Sequence, residues 1–140
     1  MDKSKKVRKT IERILYSLLV IFILILFFFI SPFDLSSKRI FFLILGILGL
    51  LFLAIGIILI ILSKKEKGKL RRFLILTGIS AISPLVFTIL HNLFYALAVS
   101  FEKLAFLFEP LHALFFIISL IVAPITFIIG LIGSIILLKK

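Results

Sequence analysis

The chain has 140 residues, of which 63% are hydrophobic and only 16% are charged, and its mean hydropathy is +1.37. Soluble domains are about half apolar and about a quarter charged, so this composition excludes an ordinary water-soluble fold. The absence of cysteine excludes disulfides, thiol catalysis and thiolate metal sites. The length predicts one membrane domain over residues 1–140, without a separate soluble catalytic module.

Four stretches without Asp, Glu, Lys or Arg are long enough to cross a bilayer as helices: 14–30, 40–62, 73–99 and 114–138. A hydrocarbon core of about 30 Å requires ~20 helical residues. Membrane strands are shorter and alternate in polarity, which these stretches do not. The sequence therefore predicts an all-α integral membrane protein, an antiparallel bundle of four transmembrane helices.

Basic residues before the first span give the N-terminal region some likeness to a signal peptide. The segment 31–35 that follows offers no small-residue cleavage site, and the apolar stretch is longer than is usual for a signal. We expect the first span to be an uncleaved anchor that faces lipid and shields the bundle.

The distribution of the basic residues predicts the orientation. Of the 17 Lys and Arg, 14 lie at 1–13, 63–72 and 139–140, and the other two connections hold 3. The positive-inside rule then places both termini in the cytoplasm, with the chain multi-pass in the cell membrane. The net charge of +11 indicates attraction to anionic lipid headgroups at that face, and not to nucleic acid, because the basic residues are not interleaved with base-reading groups.

The second span has no hydrogen-bonding side chain, but Gly46, Gly49 and Gly56 lie on one helix face. Small residues let two helix backbones approach closely, which drives packing in lipid. This face is predicted to be a helix-packing groove.

The third span carries a polar stripe. Ser80, Pro84, Thr88, His91 and Tyr95 are separated by three or four residues and therefore share one face of a helix. Polar groups aligned in a lipid-embedded helix are expected to face protein or water.

The fourth span carries a matching stripe, which consists of His112, Ser119, Thr126, Gly130 and Gly133. If the stripes face each other, Ser80, Thr88, His91, Tyr95, Ser119 and Thr126 form a polar seam. Counting about 1.5 Å per residue from the inner end of each span predicts that His91 lies level with Ser119 and Glu102 level with His112.

Each stripe also has a proline near mid-membrane, Pro84 and Pro124. These prolines are candidate helix breaks or hinges, because proline frees a backbone carbonyl. The alternative is that neighbouring helices satisfy the freed groups and the prolines are simply tolerated.

The connection 100–113 is predicted to be a short amphipathic segment on the outer leaflet; the alternative is the frayed ends of two long helices. Glu102, Glu109 and His112 form a candidate polar cluster at the outer surface. With His91 these side chains offer metal-ligand chemistry, but the spacing of a zinc enzyme is lacking, so we predict neither metal nor cofactor.

No nucleophile elbow, phosphate-binding loop or dinucleotide fingerprint occurs, so we predict that the protein is not an enzyme. The first functional hypothesis is a membrane protein that acts through helix–helix association, as a homo-oligomer or as an accessory subunit of a membrane complex. The alternative is a small transporter or channel that uses the polar seam as its path.

Overall fold

The computed structural model describes residues 3–30 and 38–140. Their regular elements are five α-helices, a short 3-10 turn at Glu102–Leu104 and a π-helical turn at Ile118–Val122. The α-helices are α1 (Lys3–Ile30), α2 (Lys38–Ser63), α3 (Gly68–Ser100), α4 (Ala105–Ile117) and α5 (Ala123–Leu138). The connection 31–37, which includes the segment that we examined for a cleavage site, lies outside the described residues.

Four helical stretches are long and apolar enough to span a membrane: Ser4–Ile30, Arg39–Ser63, Gly68–Ser100 and Glu102–Leu138. This confirms the prediction of an all-helical chain with four candidate spans, and the described residues contain no strand. The fourth stretch joins α4, the π-helical turn and α5 into one helical rod. Helices α1 and α3 extend past the predicted spans because Lys and Arg are good helix formers and do not end a helix.

The four helical stretches alternate in direction, and those whose connection is described are joined by tight turns. After α2, the backbone N–H groups of 64, 65 and 66 donate to the carbonyls of 61, 62 and 63. Gly68 then adopts a φ of +63°, a left-handed conformation that glycine adopts without steric cost. We call this end of the molecule, where α1 also begins, the basic end, and the opposite end, at Ser100–Leu104, the turn end.

One face of α1 belongs to the core. Ile11, Leu15 and Leu18 are completely buried, and Phe22 follows them on the same face. The phenyl ring of Phe22 lies 6.2 Å from that of Phe52 on α2 and 4.8 Å from that of Phe127 on α5. The first span therefore packs into the bundle along this face, and only its remaining faces are exposed as expected of a lipid-facing anchor.

The predicted glycine face of α2 divides between inside and outside. A Cβ added to Gly56 would lie 2.9 Å from the carbonyl oxygen of Gly78, so α2 and α3 cross at backbone contact. A Cβ at Gly49 would make an ordinary contact with Leu85, at 3.7 Å. At Gly46 it would meet nothing within 4 Å. Two of the three glycines thus pack against α3, and Gly46 faces outward.

Helices α3 and α5 also approach through glycine. A Cβ added to Gly130 would lie 2.6 Å from Thr77 Oγ1 and 2.8 Å from its backbone nitrogen. A Cβ at Gly133 would overlap the phenyl ring of Phe73. The small residues of the fourth span therefore let α5 lie directly on α3, and this contact aligns the two polar stripes.

Candidate functional site

The polar seam begins near the middle of the bundle with a pair of hydroxyl groups. Ser80 Oγ on α3 lies 2.7 Å from Thr126 Oγ1 on α5. Thr126 donates its own hydrogen within the fourth span, to the carbonyl of Val122 at 2.8 Å or of Ala123 at 3.1 Å. Ser80 is therefore the donor between the helices, and its side chain is almost completely buried.

A second hydroxyl pair lies closer to the turn end. Thr88 Oγ1 is 2.9 Å from Ser119 Oγ, and the Ser119 hydroxyl donates to the backbone carbonyl of Pro84 at 3.0 Å. Because Ser119 has a single hydrogen, Thr88 donates to it in turn. One serine therefore ties the fourth span to α3 at two points, one of them on the proline turn.

The two histidines of the chain meet at the turn end of the polar seam. His91 Nδ1 lies 2.8 Å from the backbone carbonyl oxygen of His112 and 3.3 Å from His112 Nδ1. A carbonyl only accepts, so His91 Nδ1 carries a hydrogen, and His112 Nδ1 must then present its lone pair. The histidine pair therefore joins the two helices through a hydrogen bond to a backbone carbonyl and a close contact between the two rings.

Aromatic rings surround the histidine pair. The ring of Phe116 lies 5.3 Å from that of His91, and Tyr95 meets His112 edge to face at 5.6 Å. Beside them, Phe115 contacts Phe87 at 5.7 Å and Phe94 at 5.2 Å. Tyr95 is 56% exposed and meets the polar seam through its ring contact with His112, so it borders the seam instead of lying within it.

The facing residues differ from those expected by depth counting. Ser119 lies opposite Thr88 and not opposite His91, and His112 lies opposite His91 and not level with Glu102. The counting took the last uncharged residue of each span as the same depth. The residue opposite Ser119 lies three positions, about one turn, before the expected one, and the residue opposite His112 lies eleven positions before Glu102. The seating of Gly130 against Thr77 sets the register at the other end of this contact.

The two prolines differ in their effect on the helices. Pro84 lies inside α3, which continues without interruption from Gly68 to Ser100. Pro124 lies in the first turn of α5, directly after the π-helical turn, whose bonding includes the N–H of Ala123 to the carbonyl of Ile118. A π turn widens the helix where the proline ring would crowd the preceding turn. It also contains Ser119, and so helps to direct that hydroxyl toward α3.

The candidate cluster of Glu102, Glu109 and His112 is not assembled as one site. Glu102 and Glu109 are exposed, whereas the ring of His112 lies against His91. Among the described residues there is no group of three or more His, Cys, Asp and Glu that could hold a metal ion. The connection itself is shorter than 100–113, because α4 already begins at Ala105.

Two features of the packing were not anticipated from the sequence. The first is the contact of Gly78 with Gly56, because Gly78 does not lie on the polar stripe of α3. Ala81, three residues later, also contacts Gly56, so the two small residues were the sequence signal for this face. Arg8 Nη2 lies 3.5 Å from Glu66 Oε2, an ion pair between α1 and the α2–α3 turn. Glu66 is the single acid among the basic residues of 63–72, which is the signal that could have indicated a specific partner.

The chain matches no protein-family model, and no curated protein or solved structure is detectably similar to it. Geometry and charge are therefore the basis for assigning a function. The polar seam offers hydroxyl and imidazole groups that are already bonded to one another, an arrangement suited to joining helices.

Proposed function

We propose that the chain is a multi-pass membrane protein that acts without catalysis, through association of its helices with a second copy or with another membrane subunit. Four helices have the length and composition to cross a bilayer, which is the foundation of this proposal. We prefer this hypothesis of helix association to the transport hypothesis because of the contacts within the polar seam.

The observation that carries this preference is the closure of the polar seam by direct contacts. Ser80 bonds to Thr126, Thr88 bonds to Ser119, and His91 bonds to His112. Groups that line a permeation path must be free to bind a passing solute or water. Here their hydrogen-bonding capacity is used between helices, where each bond stabilises packing in lipid by about 0.6 kcal/mol on average.

The exterior of the bundle supports association with apolar partners. Large aliphatic and aromatic side chains are exposed along all four candidate spans. On α2, Gly46 lies on this exterior with open space around it. Lipid tails and the helices of another membrane protein are both suited to such a surface, so the decisive measurement is the oligomeric state in a bilayer.

We further propose that the protein lies in the cell membrane with its basic end, which carries both termini, on the cytoplasmic side. The excess of Lys and Arg at this end is the support, together with the preference of such residues for the cytoplasmic side. Single cysteines can test the orientation cleanly because the chain has none of its own. Lys103→Cys at the turn end should react with a membrane-impermeant maleimide on intact cells, and Lys67→Cys only after permeabilisation.

The association test uses dye-labelled protein in liposomes at decreasing protein density. If the chain associates with itself, complexes should show more than one photobleaching step at protein densities where two chains rarely share a liposome by chance. If it associates with another subunit, that membrane protein should co-purify with it in mild detergent. Gly46→Leu adds bulk to the outer face of α2 without a clash inside the bundle, and it should weaken self-association if that face is used. A chain that stays monomeric and captures no subunit contradicts the proposal.

The same liposomes test the alternative of transport. Flux of ions or small solutes should be equal for the unmodified protein, for His91→Ala and for empty liposomes. Solute flux that requires the protein and is altered by His91→Ala or Thr88→Val would favour the transport hypothesis, since both side chains lie in the polar seam.

A further inference from the structure

A groove opens at the basic end between the first turns of α1 and the end of α2. Its volume is about 570 Å³. We call it the basic groove, and its lining residues are Ser4, Lys6, Val7, Thr10, Leu62, Lys65 and Glu66. Both walls are anchored, because Ile11 fixes α1 in the core and Ser63 is fully buried beside the turn. The groove is therefore built from ordered elements of the fold.

The lining of the basic groove favours an anion. Lys6 stands on the α1 side and Lys65 on the side of the α2–α3 turn, so two lysines from different elements line one groove. The turn holds Lys65 in place through the bond of its N–H to the carbonyl of Leu62, at 3.0 Å. The one acid, Glu66, is only 8% exposed and lies 3.5 Å from the guanidinium of Arg8, which offsets its charge.

The basic groove also has an apolar part. Val7 and Leu62 contribute aliphatic surface on opposite sides, and both belong to or pack against the hydrophobic core. A free inorganic anion has no apolar part that could contact this surface. An amphipathic anion, with a phosphate above and a glycerol backbone with acyl chains below, matches both parts of the lining.

We propose that the basic groove binds the phosphate headgroup of one anionic phospholipid, with Lys6 and Lys65 as the phosphate ligands. This site rests on the proposed location in a membrane, with the basic end at a leaflet surface. It differs from the diffuse attraction of 14 basic residues to a charged bilayer, because it assigns the preference to two of them.

The experiment compares two double variants with the same loss of charge. Lys6→Gln with Lys65→Gln removes both cations of the basic groove, and Lys9→Gln with Lys67→Gln removes exposed cations of the same two segments outside it. Native mass spectrometry in detergent measures the binding of phosphatidylglycerol, with phosphatidylcholine and inorganic phosphate as separate arms. All four substituted lysines are exposed, and circular dichroism checks that helicity is unchanged.

We expect one phosphatidylglycerol per chain to remain bound to the unmodified protein and to the control variant. A cation near anionic lipid contributes about 1 kcal/mol, or about five-fold in affinity, so the groove variant should bind about 30-fold more weakly. Equal loss in both variants would mean diffuse attraction only and would overturn the site. Retention of phosphatidylcholine to the same extent would overturn the anionic preference, and displacement by inorganic phosphate would overturn a lipid as the occupant.

The result of the lipid-binding experiment can be distinguished from the result of the association test of the proposed function. Lipid retention is measured on single chains in detergent, whereas association is measured by counting chains in liposomes. Loss of the lipid site with unchanged association would reject the site alone. Retention of the lipid in a protein that never associates would reject the proposed function alone.

Discussion

Gly130 of α5 lies directly against the backbone of Thr77 on α3, and Gly130→Ala tests how much this close contact contributes to stability. The added methyl group would lie 2.8 Å from the backbone nitrogen of Thr77 and 3.1 Å from its Cα. Neither atom can rotate away, because both belong to the backbone of α3. The helices must therefore separate by roughly half an ångström to restore ordinary contact distances.

The expected loss of stability in Gly130→Ala follows from the weaker contact along the interface between α3 and α5. A radial gap of about 0.5–1 Å forfeits roughly a quarter to a half of the attraction between each pair of atoms. Overpacking of this kind costs about 1–3 kcal/mol. The hydrogen bond between Ser80 and Thr126 lies one turn away on the same pair of helices and would lengthen as well. Relative to a control variant with the same gain in helix propensity, we expect the equilibrium constant of unfolding to rise by about 5- to 150-fold.

Gly46→Ala is the matched control, since a Cβ there meets nothing within 4 Å. Both substitutions bring the same gain in helix propensity, about 0.5–1 kcal/mol, so the difference between them isolates the clash. Steric trapping in bicelles measures the free energy of unfolding of each variant. Agreement of the two values within about 0.5 kcal/mol would refute the close packing of α5 on α3.

Three further predictions concern single contacts of the bundle. In a double-mutant cycle, Ser80→Ala and Thr126→Ala should show a coupling of about 0.6 kcal/mol, and full additivity would contradict the hydrogen bond between them. Ser134→Ala should be neutral or stabilise the fold by up to about 1 kcal/mol in the same assay, because the buried hydroxyl has no hydrogen-bond partner; a marked loss would reveal one. Arg8→Gln should cost about 1 kcal/mol or less, since that side chain is about half exposed, and Glu66→Gln should suppress the loss in thermal unfolding; an unchanged loss would exclude the ion pair as its cause.

The number and type of the helices were predictable because they depend on composition and on the length of uncharged runs. Four such runs in 140 residues leave little choice of architecture. The meeting of the two polar stripes was also predictable, since the third and fourth spans each carry hydroxyl groups along one face and the second span, 40–62, carries none. These are properties of single helices, and periodicity reports them directly.

The register between helices was not predictable in the same way. Gly46 and Gly49 belong to the same predicted face, yet only Gly49 contacts α3, because the crossing point lies nearer Gly56. The sequence assigned His112 both to the cluster at the outer surface and to the polar stripe of the fourth span. Only the alignment of α3 with α4 places it beside His91. The π-helical turn around Ser119 has no sequence signal except the proline that follows it. Such features depend on how two surfaces fit, which one sequence pattern does not encode.

The 3-10 turn Glu102–Leu104 has a consequence for how the chain would be assembled during synthesis. A connection this short makes closing the hairpin cheap, since the entropic cost of closing a loop grows with its length. Thr88 and His91 of α3 are bonded to the helix that follows this turn, so α3 alone would lack the hydrogen-bond partners Ser119 and His112. If the chain inserts into a membrane as proposed, we therefore expect the last two spans to enter the bilayer together, as a preformed pair.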